Sequence, residues 1–464
     1  MNIIHSFFIG GRERMNIDQV LNANIFRVWS KFVMASVVGI VLNTIYTIVD
    51  GMFVGQGVGE IGLAAINIVW PAITIIIGTG LMLGIGTSSL IAITLGKKDI
   101  KTSEKYLGTT MVASIVIGAV IMITGLIFRD SILNLLGADD VVMPYAQDYF
   151  TIFYYITIPY IFSTALNPIV RTDGSPNLAM IMVAVGAVAN IVLDYLLVMV
   201  FKFGIKGAAV ATSASIILST IISLHYFMKG KSTIKIRREY LELDIKLLKE
   251  ITKIGFVSFV VQLSYGIIIF VQNNVMYAYG SNIDVAIYTV ASYINCFFVN
   301  ICNGISQGLQ PLIGYHFGAN KLNRMKQFLY LSILVSIIAG ILVFIGILTY
   351  GRQLVSIFGI SNEHLEYGYQ SILLYCLGSP IVGIIFTMSG YYQAIGQNIQ
   401  ANILSISRGF IFQFILTLVL PLLIGVSGVF LSLPIAECLT LLVLVVMLSV
   451  KNPHKKSVLK TITN

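Results

Sequence analysis

Three carboxylates stand inside long apolar stretches of the sequence: Asp50, Asp194 and Glu437. A charged side chain in hydrocarbon is costly, so an acid kept there marks an ion path, a proton relay or a buried pair. Asn190 precedes Asp194 by one helical turn, so the two share a helix face and can aim oxygen-bearing groups at a common cation. Two carboxylates in low dielectric cannot both stay charged unless a cation lies between them. Such a site holds a proton or a sodium ion and gives it up when water arrives. The competing role is polar bonding between packed helices. Glu437 has the weaker case, because a buried hydroxyl would suffice as its partner.

Phe150, Phe153, Tyr154, Tyr155 and Tyr160 form an aromatic cluster with the composition of a cavity for flat organic cations. Core and lipid-facing roles compete for the same residues. Pro159 and Pro380 sit where a freed backbone carbonyl would kink the helix that carries each. Gly80-x-x-x-Gly84 offers a small-residue face for close helix packing. Neither a nucleotide fingerprint nor a zinc motif accompanies these residues. Cys296, Cys302, Cys376 and Cys438 all lie in apolar runs without a Cys-x-x-Cys pair.

The elements that position these groups are transmembrane. Of 464 residues, 57% are hydrophobic and 11% charged, against about 25% charged in a soluble protein. The apolar runs are long enough to cross a bilayer as helices, which takes about 20 residues each. Read between polar breaks they predict spans at 28–50, 61–95, 107–128, 145–166, 178–201 and 207–228, then 251–278, 285–317, 327–349, 368–390, 402–424 and 427–449. With the N-terminus inside, the outer loops hold only Arg129, Lys202, Lys206 and Arg352 of the 29 basic residues, with Arg408 counted as inside. The positive-inside rule then puts both termini in the cytoplasm, and the net charge of +9 is topological rather than a sign of nucleic-acid binding.

The two halves align at an offset of 222. Gly86, Gly96, Gly118, Gly137 and Gly174 meet Gly308, Gly318, Gly340, Gly359 and Gly396; chance would give about two such coincidences. Six spans per repeat is even, so the halves enter the membrane in the same sense. The expectation is an all-α membrane protein of twelve transmembrane helices, in two six-helix lobes related by a pseudo-two-fold axis along the membrane normal. Its parts are an N-terminal segment 1–25, an N-lobe 26–228, a solvated linker 229–249, a C-lobe 250–450 and a tail 451–464.

Arg171-Thr-Asp-Gly-Ser-Pro-Asn177, followed by Gly186, Asn190, Leu193 and Asp194, resembles the helix 4–5 signature of the multidrug and toxic compound extrusion (MATE) family. Val49-Asp50-Gly-Met-Phe-Val-Gly55, Leu95-Gly96-Lys-Lys-Asp99 and Phe317-Gly318-Ala-Asn320 resemble other family segments, nearest to its MepA-like branch. The resemblance covers about residues 26 to 450. It implies a secondary active multidrug efflux transporter of the cell membrane, not an enzyme, that needs no cofactor. Such a transporter exports amphipathic organic cations and toxic drugs by alternating access, in antiport with protons or sodium ions.

The motifs place a cation-coupling site, and any bound sodium, at Asp50, Asn190, Asp194 and Thr212. A substrate cavity is expected at Phe153, Tyr154, Tyr155 and Gln262. The expected partners are the bilayer and small molecules, with no nucleic acid, and the expected state is a monomer. Some family members add a glutamate on the seventh span and an aspartate on the tenth. This chain has Gln262, Gln272 and Asn273 on the seventh and no acid in the tenth. A lipid-linked saccharide flippase and, more remotely, an intramembrane transferase are the alternative readings.

Overall fold

The computed structural model describes residues 14–357 and 360–449, and within them all regular structure is helical. A short helix, Ile17–Asn22, precedes twelve spans. In the first half these are α1 (Ile25–Gly57), α2 (Glu60–Gly96), α3 (Ile100–Ile127), α4 (Met143–Tyr155 and Thr157–Thr172), α5 (Pro176–Asp194, continued by a wide π turn over Tyr195–Val200) and α6 (Gly204–Lys229). The second half holds α7 (Ile245–Tyr279), α8 (Asn282–Gly318), α9 (Leu322–Ile357) and α10 (Leu365–Tyr375 and Ser379–Ala394). It ends with α11 (Asn398–Ile406, a π turn over Ser407–Phe412, then Gln413–Ile424) and α12 (Val426–Ser449).

Ten spans qualify as membrane-crossing by length and apolarity, and the halves of α4 qualify together with a 59° bend between them. The 35-residue α7 makes twelve. The breaks in α4 and α10 fall just before Pro159 and Pro380. Each proline therefore lies in the first turn of the second piece, where a missing N–H costs nothing. The apolar runs end too early at several places. Helix α1 runs to Gly57, so Asp50 lies within the helix rather than at its end.

The repeat is visible in three dimensions. Lys98 and Asn320, 222 residues apart, both take positive φ (62° and 56°) after their helices end. Gly96 faces the backbone of Tyr315, and Gly318 faces the backbone of Ile93, which is the same contact seen from the other lobe. A methyl at either glycine would lie 2.2 or 2.0 Å from the opposing carbonyl oxygen. Gly80 and Gly84 meet Thr164 and Ala165 of α4, as a small-residue face should. Gly359 lies outside the described residues.

The lobes touch through α1 and α2 on one side and α7 and α8 on the other, along the half nearest the central linker. There Trp29 Nε1 donates to Ser332 Oγ at 2.7 Å, and Tyr315 Oη donates to the Thr172 carbonyl at 2.8 Å. Arg171, almost wholly buried in α4, reaches across to the carbonyl of Gln307 in α8 at 3.3 Å and to its Oε1 at 3.2 Å. At the far end the same helices expose Ile45, Ile48 and Met52, Leu63, Tyr277 and Tyr293. The lobes are closed at the linker end, where these cross-lobe contacts gather.

Two expectations need correction. The linker is no free connector. The backbone N–H groups of Thr233 and Ile234 donate to the Asp173 carboxylate, at 2.9 and 3.2 Å for the best contacts of each. Arg237 Nε meets Glu104 Oε2 at 2.5 Å. Asp173 also accepts from Tyr226 Oη at 2.6 Å, and Arg14 lies beside it. Burial pushes the Asp173 carboxyl above its usual range, while Tyr226, Arg14 and the two amides pull it back. Gly174 follows at φ +89°, with the Met15 carbonyl where a Cβ would sit. The second correction is Arg408. It lies in the π turn in mid-span, not at the linker end, and so drops out of the topological charge count. The first thirteen residues and the tail lie outside the described residues.

Candidate cation site and substrate cavity

Asp50 comes from the far third of α1, while Asn190 and Asp194 come from the last turns of α5 before its π segment. Asn190 and Asp194 are completely buried and Thr212 of α6 nearly so. Asn190 Nδ2 donates to Thr212 Oγ1 at 3.1 Å, which turns the amide oxygen the other way. The Asp194 carboxyl faces both Asp50 and the Asn190 amide. Asp50 Oδ1, Asn190 Oδ1 and both oxygens of Asp194 are buried without a hydrogen-bond partner among the described residues.

Four buried oxygens without a donor, on Asp50, Asn190 and Asp194, make an acceptor cluster suited to a positive centre. Each would cost on the order of 1–3 kcal/mol if left so. The set is all oxygen, which suits a hard cation such as sodium, and two facing carboxyls equally suit a shared proton. The four residues singled out by sequence are thus brought together and fit a monovalent cation. No cluster of three or more His, Cys, Asp or Glu side chains occurs among the described residues, so nothing here has the look of a transition-metal site.

Tyr46, one turn before Asp50, and the buried Tyr149 of α4 lie near both carboxylates, and the half-buried Tyr160 lies near Asp50. Of these three, the sequence marks only Tyr160, as part of the aromatic cluster. A tyrosine in an apolar run gives no warning that its hydroxyl faces an acid. The one available signal was the one-turn spacing of Tyr46 and Asp50.

The rest of the aromatic cluster packs rather than lines a cavity. Phe150 stacks on Tyr154 with ring centroids 3.9 Å apart, and Phe153 lies 4.7 Å from Tyr149. Phe153 and Tyr154 are buried, whereas Tyr155 is 65% exposed at the break in α4. Of the four residues expected around the substrate, Gln262 lines a cavity walled by α2, α7, α8, α10 and α11. Phe153, Tyr154 and Tyr155 do not, because helix α4 turns their rings into the N-lobe packing or outward.

That cavity, about 110 Å³, lies in the C-lobe and is capped by Leu81 and Ile85 of α2. Its polar wall includes Gln262, Asn303, Gln307 and Gln393, with Phe386 on one side and Arg408 on another. Gln393 bridges α10 to α7 and α8, donating to Ser258 Oγ at 3.0 Å and accepting from Gln310 at 3.0 Å. Arg408 Nε donates to Oε1 of the wholly buried Glu437 at 2.7 Å. Gln272 is committed to Tyr288 Oη, at 2.6 Å. The C-lobe thus spends its one wholly buried carboxylate among the described residues on an arginine.

A MatE family model matches residues 35–196 and 254–419, once in each lobe. The multidrug export protein MepA of Staphylococcus aureus (strain MSSA476) is 28% identical over 416 residues, which is 89% of this chain and 91% of that protein. MepA of Staphylococcus saprophyticus is 27% identical over 418 residues, with the same coverage of 89% and 91%. Among solved structures, an outward-facing conformation of a multidrug resistance MATE family transporter of the MOP superfamily superposes with TM-score 0.87 at 24% identity. It covers 93% of this chain and 97% of that one. A MOP superfamily transporter from Pyrococcus furiosus gives 0.84 at 24% identity, with 93% and 97% covered. These structures share the fold.

Proposed function

This chain belongs to the MatE family, and on that footing we propose that it exports amphipathic organic cations across the cell membrane by antiport with protons or sodium ions. The observation that carries the coupling is the group of four unpartnered buried oxygens on Asp50, Asn190 and Asp194, backed by Thr212. The site lies toward the end away from the linker. An ion arriving from that side neutralises the acceptor cluster. Its release on the other side, after the lobes rock, leaves the carboxylates in want of another.

The electrical term alone is useful. One charge crossing 100 mV yields about 2.3 kcal/mol, enough for roughly fifty-fold accumulation per charge. The relatives named multidrug export proteins and the outward-facing fold match support this reading. With the linker end in the cytoplasm, the closed linker end fits an outward-facing state, and alternating access follows as the exchange of which end is closed.

Reconstitution into proteoliposomes tests this directly. Ethidium transport is followed with a proton gradient imposed alone and with a sodium gradient imposed alone. One of the two should drive transport against the dye gradient. Failure of both, at verified incorporation, rejects coupled export.

A further inference from the structure

The C-lobe cavity has a charge character opposite to that of the N-lobe site. Arg408 is its one charged lining residue among those described. Glu437 stands behind the arginine, completely buried. The Nε–Oε1 contact is the one hydrogen bond the guanidinium makes among the described residues, and Glu437 Oε2 has no partner. The pair is therefore joined at a single point rather than as a two-pronged fork. Phe386 holds the guanidinium from another side, with its ring centroid 4.7 Å from Cζ. The π turn over Ser407–Phe412 widens the helix at this residue, a distortion frequent at functional positions.

A guanidinium carries five N–H donors. One is used on Glu437, and the two Nη groups remain on a side chain that lines the cavity. Two parallel N–H groups match the two oxygens of a carboxylate or sulfonate. Gln262 and Asn303 supply neutral amides on the same wall, and Phe386 supplies an aromatic face.

We propose that the C-lobe cavity is a subsite for the acidic group of amphipathic substrates, with Arg408 as the anion-recognising residue and Glu437 as the group that positions it. The proposal rests on the multidrug export reading and narrows it, since it adds molecules that carry a carboxylate or sulfonate to the transported class. Glu437 cancels most of the arginine's long-range field. Selection therefore comes from two-point bonding at close range, and molecules without an acid are not repelled from the chamber.

The test uses two probes that differ at one group, dansylglycine and its methyl ester. Their binding to the full-length protein in nanodiscs is measured by equilibrium dialysis against empty nanodiscs. Hydrogen bonds to a charged group contribute about 1.5–3 kcal/mol, so the acid should bind about tenfold or more tightly than the ester. R408Q should bring the ratio of the two affinities close to one, and R408K, which keeps the charge and loses the fork, should retain only part of it. If R408Q is not monodisperse, the ratio is read on R408K. E437Q frees the guanidinium from its counter-ion and should raise the preference for the acid. A wild-type protein that binds the ester as well as the acid, or binds neither, overturns the proposal. So does an Arg408 variant that weakens both probes alike, since that is the behaviour of a purely structural ion pair. Absence of gradient-driven ethidium transport would strike the export reading instead and would leave the acid-to-ester ratio unaffected.

Discussion

At the scale of single residues, the candidate cation site stands out because charge in an apolar run has few reasons to exist. Asp50 and Asp194 each stand alone in a hydrophobic span, and Asn190 is one turn from Asp194. The structure brings them together with Thr212 and leaves their oxygens without donors. Residues acting on one ion act as a unit. D50N and D194N should each reduce gradient-driven ethidium efflux to background at normal protein level, and the double variant should be little worse than either. Near-normal efflux by one single variant would remove that aspartate from the site. T212V probes the arrangement more gently. It takes away the acceptor that turns the Asn190 amide and leaves a buried N–H unpaired, at a cost of about 1–3 kcal/mol. The ion concentration giving half-maximal transport should rise roughly tenfold in T212V, with the maximal rate less affected. An unchanged ion dependence would mean that Thr212 only packs. What could not be read was partnership over distance. Arg408 and Glu437 lie 29 positions apart in sequence. Nothing in apolar patterning says that an arginine counted with the cytoplasmic charges is in mid-membrane opposite a glutamate.

At the scale of elements, the spans were legible to within a few residues in most cases, because twenty apolar residues have one good solution in a bilayer. The ends were less so. Polar residues can continue a helix beyond the hydrocarbon, as Ile245–Lys253 does at the start of α7. The π turns of α5 and α11 have no sequence signature either. The motif from Arg171 to Asn177 was legible as a motif but not as a machine part. In the structure its arginine crosses to Gln307 of the other lobe, its aspartate clamps the linker, and its proline opens α5. Arg171 is thus a latch between the lobes, and Gln307 also lines the cavity. R171A should weaken closure at the linker end. A cysteine placed at Ser389, on the cavity wall, should then react several times faster with an impermeant maleimide applied from the linker side, in a background lacking the four native cysteines. An unchanged rate would show that backbone contacts such as Gly96 with Tyr315 hold the closed end without the arginine.

At the scale of the whole molecule, the 222-residue offset and the even span count already required two lobes entering the membrane in the same sense. The paired contacts of Gly96 with Tyr315 and Gly318 with Ile93 are that repeat in space. What the repeat leaves open is which end faces the cytoplasm, and charge gives the expectation. Among the described residues, Arg129, Lys202, Lys206 and Arg352 are the only lysines and arginines near the far end, whereas the segments around Lys97–Lys105, Lys229–Lys253 and Lys321–Lys326 crowd the linker end. Lysine and arginine resist translocation, so the linker end should be cytoplasmic. Single cysteines at Ala138, in the turn before α4, and at Ser361, before α10, should then be labelled by an impermeant maleimide in intact cells. A cysteine at Lys231, in the linker, should react only after permeabilisation. The linker position makes the test sharp, because Lys231 is exposed and a failure to label it cannot be blamed on burial. Labelling of Lys231→Cys in intact cells would invert the molecule. The far end would then face the cytoplasm, the ion site would fill from inside, and the same antiport cycle would import what it is proposed to expel.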